Sequence, residues 1–179
     1  YQQEPQEQEG EFFKRSWFGF VDDMPEKARR VRYWDKGASV DGDYTVGALL
    51  ASAGPYWYIE DIVRGQWTSH ERNQRIKQTA EMDGQDVIIW LEQEPGSSGV
   101  DSVQEIIRML AGYAVHADKV TGDKGVRAEP FAAQAEAGNV KAANVVVLGF
   151  VAQKTGMFKL PELEAFLAET FKKPALFEL

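Results

Sequence analysis

A chain of 179 residues with 44% hydrophobic content is long enough for one compact domain with an extension, and it lies far from the disordered class. Its net charge of −8 argues against general adhesion to nucleic acid or to an anionic membrane, but metal ions can offset local carboxylates, which leaves a nuclease open. Zero cysteines exclude disulfides, thiolate zinc sites and cysteine nucleophiles, as suits a reducing compartment. No apolar run is long enough to span a bilayer, and no signal peptide is visible. The chain starts at Tyr1 rather than Met, as a piece of something longer would.

Tyr1 to Glu11 is polar and reads as a linker or arm. The next stretch, to Val21, is abruptly aromatic: Phe12, Phe13, Trp17, Phe18 and Phe20 are expected to pack against the domain that follows. A basic run, Arg29, Arg30 and Arg32, leads into a first strand around Val31 and Tyr33. Asp35 sits where that strand should end. Gly37, Asp41, Gly42 and Asp43 then form a turn before a second apolar run, Thr45 to Ala51. A carboxylate fixed by a rigid strand end is well placed to hold a divalent metal, and an Asp there is also an ordinary turn residue. Spacing alone leaves both roles open for Asp35.

Tyr56 to Val63 is aromatic and β-branched, a third strand. Thr68 to Met82 reads as a helix, with Glu71 three residues after Thr68 as in a capping box. Arg72, Arg75 and Lys77 are expected on its exposed side. Asp86 to Leu91 is nearly all apolar and should form a central strand buried on both faces. It runs into Glu92 and Glu94, which share one face if the strand continues, and then a Gly/Ser turn. Val100 to Ala111 carries a helical apolar stripe of Val103, Ile106, Ile107 and Leu110. Tyr113 to Ala117 reads as a short strand, followed by a loop with Lys119 and Lys124. Arg127 to Ala137 is a helix with Pro130 in its first turn, ended by Gly138 and Asn139. Three strands, helix, strand, helix, strand, helix gives an α/β layer with an antiparallel start and parallel later strands.

The segments RYWDKGAS, DGDYTVG, WLEQEPGSSGVD and TGDKGVRAEPFAAQAEAGNV, in that order, resemble the nuclease domain of tailed-phage large terminase subunits. The resemblance runs from about Tyr1 to Val140, and YQQEPQEQEGEFFKRSWF is similar to the bridge that leaves that family's ATPase motor. It implies a ribonuclease H-like mixed sheet flanked by helices, and a metal-dependent endonuclease that cuts concatemeric viral DNA during packaging. It divides the chain into a bridge (1–27), a nuclease domain (28–141) and a helical extension (142–179). The implied cofactors are two Mg2+ or Mn2+ ions, which suit an all-oxygen site. Asp35 matches the first-strand acid. Glu94 matches the second through its Glu-x-x-x-x-Gly spacing to Gly99, with Glu92 as the alternative and Asp43 assisting from the hairpin. Lys124 and Arg127 resemble positions that touch DNA phosphate. The implied partners are double-stranded DNA, the terminase ATPase domain, the small terminase subunit and the portal, in the cytoplasm of a host cell.

The same resemblance implies a third metal-binding acid near the C-terminal end, yet no Asp occurs after Asp123. The tail, NVVVLGFVAQKTG followed by LPELEAFLAETF, is similar instead to the C-terminal part of the gamma subunit of 2-oxoacid:ferredoxin oxidoreductases. That similarity raises an alternative function, a subunit or interaction module of such an enzyme. With the join near residues 140–144, the metal site lacks a ligand, and weak or absent nuclease activity is the expectation.

Overall fold

The computed structural model describes residues 13–37, 42–122 and 124–143. The chain divides at Ala143 and Asn144 into two units. The tail helices expected beyond that point lie outside the described residues, as do Phe12 and Asp41.

After a short 3-10 turn, Arg15–Trp17, the elements follow as β1 Gly19–Val21, β2 Arg29–Asp35, β3 Thr45–Ala53, β4 Tyr56–Gly65, α1 Ser69–Asp83, β5 Ile88–Gln93, α2 Ser97–Met109, β6 Val115–Lys119, α3 Lys124–Glu136 and β7 Val140–Ala143. Among the described residues the strands form one sheet in the order β1-β7-β4-β3-β2-β5-β6. β3 runs antiparallel to β2 and β4, whereas β5, β6, β7 and β1 each pair parallel with their neighbours. Every strand but β3 therefore ends at the same edge. This is the ribonuclease H-like mixed sheet that the family resemblance implies.

Side chains alternate across a strand, so β2 and β5 each present two chemically distinct faces. One face carries Trp34, Ile89 and Leu91. These are buried against Ile76 and Ala80 of α1 and Val103, Ile106 and Leu110 at α2, which form the main core. The Trp34 ring lies over β3 at Gly47, where a Cβ would stand 2.6 Å from the ring, so only glycine fits. The expected capping box is present: Thr68 Oγ1 accepts from Glu71 N–H, and the Glu71 carboxylate accepts from Thr68 N–H. Phe13 packs at 5.9 Å on Phe131 of α3 and at 6.1 Å on Phe18, as expected for these residues, and β1 joins the sheet edge, whereas Phe20 of β1, expected to pack inward, is 43% exposed.

Two expectations need correction. Arg72 is 8% exposed and does not lie on the open side of α1 with Arg75 and Lys77, because the helix turns it toward the end of β2. α3 begins at Lys124 rather than Arg127, so Pro130 lies inside the helix, beyond its first turn. Residues 140–143 form a strand between β4 and β1 and belong to the sheet.

Candidate functional site

The edge at which the parallel strands end collects the chemistry. β2 and β5 pair with Trp34 level with Leu91, and one step further brings Asp35 level with Glu92. Glu92 in turn pairs with Asp118 of β6. Adjacent strands are about 4.8 Å apart, so three acids stand in a row on the face opposite the main core. One pleat below, Tyr33, Trp90 and His116 form a second row, with the Trp90 and His116 rings stacked at 4.8 Å.

These rows are linked. The Tyr33 hydroxyl donates to Asp118 Oδ2 at 3.1 Å. Glu92, only 15% exposed, has Oε2 3.9 Å from Arg127 Nη1, which brings the start of α3 over this face. Burial, then the Asp118 charge and its hydrogen bond, then Glu92, push the Tyr33 hydroxyl well above the ordinary tyrosine range, and Arg127 opposes them.

The other residues singled out from sequence lie around this row. Glu94 follows β5 and is exposed at the same edge. Asp43 is exposed in the connection between β2 and β3, outside the strands, and its carbonyl oxygen packs where a Cβ on Gly37 would fall. Lys124 opens α3, and its side chain lies outside the described residues. Arg127, one turn on, reaches the row. The structure thus brings Asp35, Glu92 and Arg127 together, with Glu94 just beyond and Asp43 on the neighbouring turn. Among the described residues, no three acids or histidines converge into a group ready to hold a metal ion.

Sequence reasoning missed Asp118 and Tyr33. The available signal was the alternation of His116 and Asp118, which continues the β6 pattern past Ala117. It also missed a second cluster at this edge, on the α1 and α2 face. Lys36 is 8% exposed, and its Nζ lies 3.3 Å from Ser102 Oγ of α2. Arg72 donates from Nη1 to the Gly37 carbonyl at 3.1 Å. Burial lowers the affinity of both groups for their protons. The Arg72 charge adds to this effect at Lys36, while Glu94 opposes it at both.

The terminase RNase H-like domain model matches residues 32–147. Among solved structures, the large terminase nuclease of thermophilic phage G20c with bound zinc is 16% identical, with a TM-score of 0.52 over 79% of this chain and 77% of that one. The magnesium-bound form of the same nuclease is 19% identical, with a TM-score of 0.52 over 69% and 62%. The large terminase of another thermophilic bacteriophage, in complex with ADP, is 12% identical, with a TM-score of 0.57 over 81% of this chain and 36% of that one. This chain therefore spans about a third of that larger protein's length. No curated protein matches. The tail's likeness to an oxidoreductase subunit gains no support from these matches. No helix among the described residues is long and apolar enough to cross a membrane. With its family match covering well over half of its length and its fold shared with terminase nucleases, the chain belongs to the terminase RNase H-like domain family.

Proposed function

We propose that this chain is the metal-dependent endodeoxyribonuclease domain of a viral DNA-packaging terminase. The observation that carries the proposal is the register of β2, β5 and β6, which sets Asp35, Glu92 and Asp118 in one row at the strand ends. The donor set fits a divalent cation in kind, since carboxylate oxygens are the ligands that magnesium and manganese prefer. Solved relatives carry magnesium, zinc or cobalt. Asp35 and Glu94 would hold the ions, with Glu92 as the alternative to Glu94 and Asp43 assisting from the hairpin. Asp118 is offered as the third carboxylate in place of the Asp that the tail lacks. When bound, such ions polarise the phosphodiester and lower the pKa of the attacking water.

The protein's own residues do the positioning. β2 and β5 fix the carboxylate backbones. Tyr33 holds Asp118 through its hydroxyl, and Arg127 offsets the charge of Glu92. Lys124 and Arg127, at the start of α3, would contact DNA phosphates. Double-stranded DNA is the proposed substrate. The ATPase domain, small terminase subunit and portal are the proposed partners, and the host cytoplasm is the proposed location.

The test pairs manganese calorimetry with cleavage of supercoiled plasmid, on the parent chain and on Asp35→Asn. The expected result is manganese binding and cutting by the parent, both lost in the variant. Cutting that survives Asp35→Asn overturns the site. Binding of DNA without any cutting makes the chain an inactive nucleic-acid-binding relative. Glu92→Gln and Glu94→Gln then separate the alternatives: the metal-holding residue is the one whose loss abolishes manganese binding.

A further inference from the structure

Lys36 and Arg72 lie beside the carboxylate row but on the other face of the sheet, and the nuclease reading gives them no task. Each is 8% exposed, and they are close enough for their charges to oppose one another. Burying two like charges together is unfavourable unless something else offsets them. The hydrogen bonds within the protein do not complete Arg72: Nη1 donates to the Gly37 carbonyl, while Nε is buried with no hydrogen-bond partner. Lys36 reaches a neutral hydroxyl, Ser102, in the second turn of α2.

The start of α2 adds to this arrangement. Its cap is Gly96, with φ +97° and no side-chain cap, and its first turn holds no acid. Gly99 is pressed so closely against the Glu94 carbonyl that a Cβ would overlap it, which fixes the turn of chain from β5 into the helix. Ser97 and Ser98 are exposed. The first backbone N–H groups of a helix favour an anion. Two desolvated cations, an orphaned guanidinium N–H and an uncapped helix start thus occur around the junction of β5 with α2, next to the carboxylates.

We propose that Lys36, Arg72 and the first turn of α2 form a clamp for one backbone phosphate of the DNA substrate. The clamp lies across the sheet edge from the carboxylate row. This rests on the nuclease reading for the identity of the ligand. The phosphate, together with the Glu94 carboxylate that already acts on both cations, offsets the charge of the buried pair, and it accepts from Arg72 Nε. It holds the DNA strand where the sheet edge presents Asp35 and Glu94. No covalent step is involved.

The test is binding of a short DNA duplex in chelating buffer over a salt series, with the parent chain, Lys36→Met and Arg72→Gln. Arg72→Gln keeps a donor for the Gly37 carbonyl, and Lys36→Met keeps the buried stem, so circular dichroism of both confirms folding. Removing one protein–phosphate ion pair reduces the slope of log K against log salt by about 0.9. The clamp predicts that reduction in each variant, with affinity several-fold weaker at low salt. Unchanged slopes in folded variants, or no duplex binding by the parent, overturn it. Manganese-dependent cutting is read in parallel. Cutting with unchanged slopes rejects the clamp and keeps the nuclease. Reduced slopes without cutting reject the nuclease and keep a phosphate clamp.

Discussion

Arg32 of β2 and Lys36, one residue past its end, lie on the same side as Trp34, and the fold completes them in opposite ways. Arg32 is 2% exposed and is met on every side: Nε and Nη2 donate to the two oxygens of Asp83 at 2.7 Å, and Nη1 donates to Asp61 at 2.8 Å and to the Gly47 carbonyl at 3.1 Å. The carboxylates of Asp83 and Asp61 hold its proton more firmly than usual despite its burial. Lys36, four residues on, hydrogen-bonds only a serine and lies beside a second cation, and Glu94 and Glu92 act on it through their charges alone. A buried charge that serves only the fold is given its counter-ions within the fold, as Arg32 is. The Lys36–Arg72 pair is left incomplete at the edge where a polyanion would arrive.

The strongest way to break this contrast is to make Arg32 resemble Lys36. Asp83 is 8% exposed and bidentate, so Asp83→Asn strands a buried guanidinium and is expected to cost about 3 kcal/mol, read as a lower urea midpoint. Asp61 is 49% exposed on the same guanidinium, and water can replace it. Asp61→Asn should therefore cost no more than about 1 kcal/mol. Equal losses from the two variants would show that burial does not set the worth of these partners.

The same difference governs what could be seen in the sequence. Periodicity and turn chemistry carried the sheet and its helices, because α2 has an apolar stripe, β5 is an apolar run, and the Thr68–Glu71 box marks the start of α1. The end of β2 was legible as well, since an acid before a Gly-rich turn is a local pattern. Partnerships made across the sheet were not. Arg32 and Asp83 are 51 positions apart, and Tyr33 and Asp118 are 85 apart. Nothing local to either residue in such a pair announces the other. Arg72 looked like one of three exposed cations because α1 carries few apolar residues to show which side faces inward. β7 was hidden for a related reason: four residues, VKAA, become a strand only because β4 and β1 pair with them. Pro130 was placed in a first turn on propensity, and the packing of α3 against Phe13 goes with a longer helix than propensity favours.

On the opposite face of β2 a third arrangement appears, in which a carboxylate is matched by a neutral hydroxyl. Tyr33→Phe removes the hydrogen bond to Asp118 and should cost about 1.5 kcal/mol near neutral pH. It also changes the alkaline limb. The Tyr33 hydroxyl is raised above its unfolded value, so its contribution is complete below about pH 10 and is lost as pH climbs from there through the raised value. The loss is at most about 1.4 kcal/mol per pH unit, since one proton is involved. Stability curves measured from about pH 9 to 11 should therefore fall less steeply for Tyr33→Phe than for the parent. Parallel curves would mean that Tyr33 is not held neutral by Asp118 and Glu92.

The smallest effect has the opposite sign, and it sharpens the comparison most. Replacing a buried charge by an apolar side chain of similar length is costly where the charge is fully paired, because the partners are left behind, and neutral or favourable where it is not. Arg32→Met strands Asp83 and should destabilise the domain. Lys36→Met leaves the Ser102 hydroxyl without its partner at 3.3 Å and removes the attraction of Glu94 and Glu92, but it ends the burial of a charge and the repulsion on Arg72, which are the larger effects, so it is expected to stabilise the DNA-free protein by about 1 kcal/mol. The urea midpoint reads this directly, with the slope of the transition unchanged. A stabilised variant that also binds duplex with a reduced salt slope has exchanged function for stability, as a site built for a ligand does. A destabilised variant would mean that Lys36 is already satisfied within the protein, and the distinction between Arg32 and Lys36 would then be one of geometry alone.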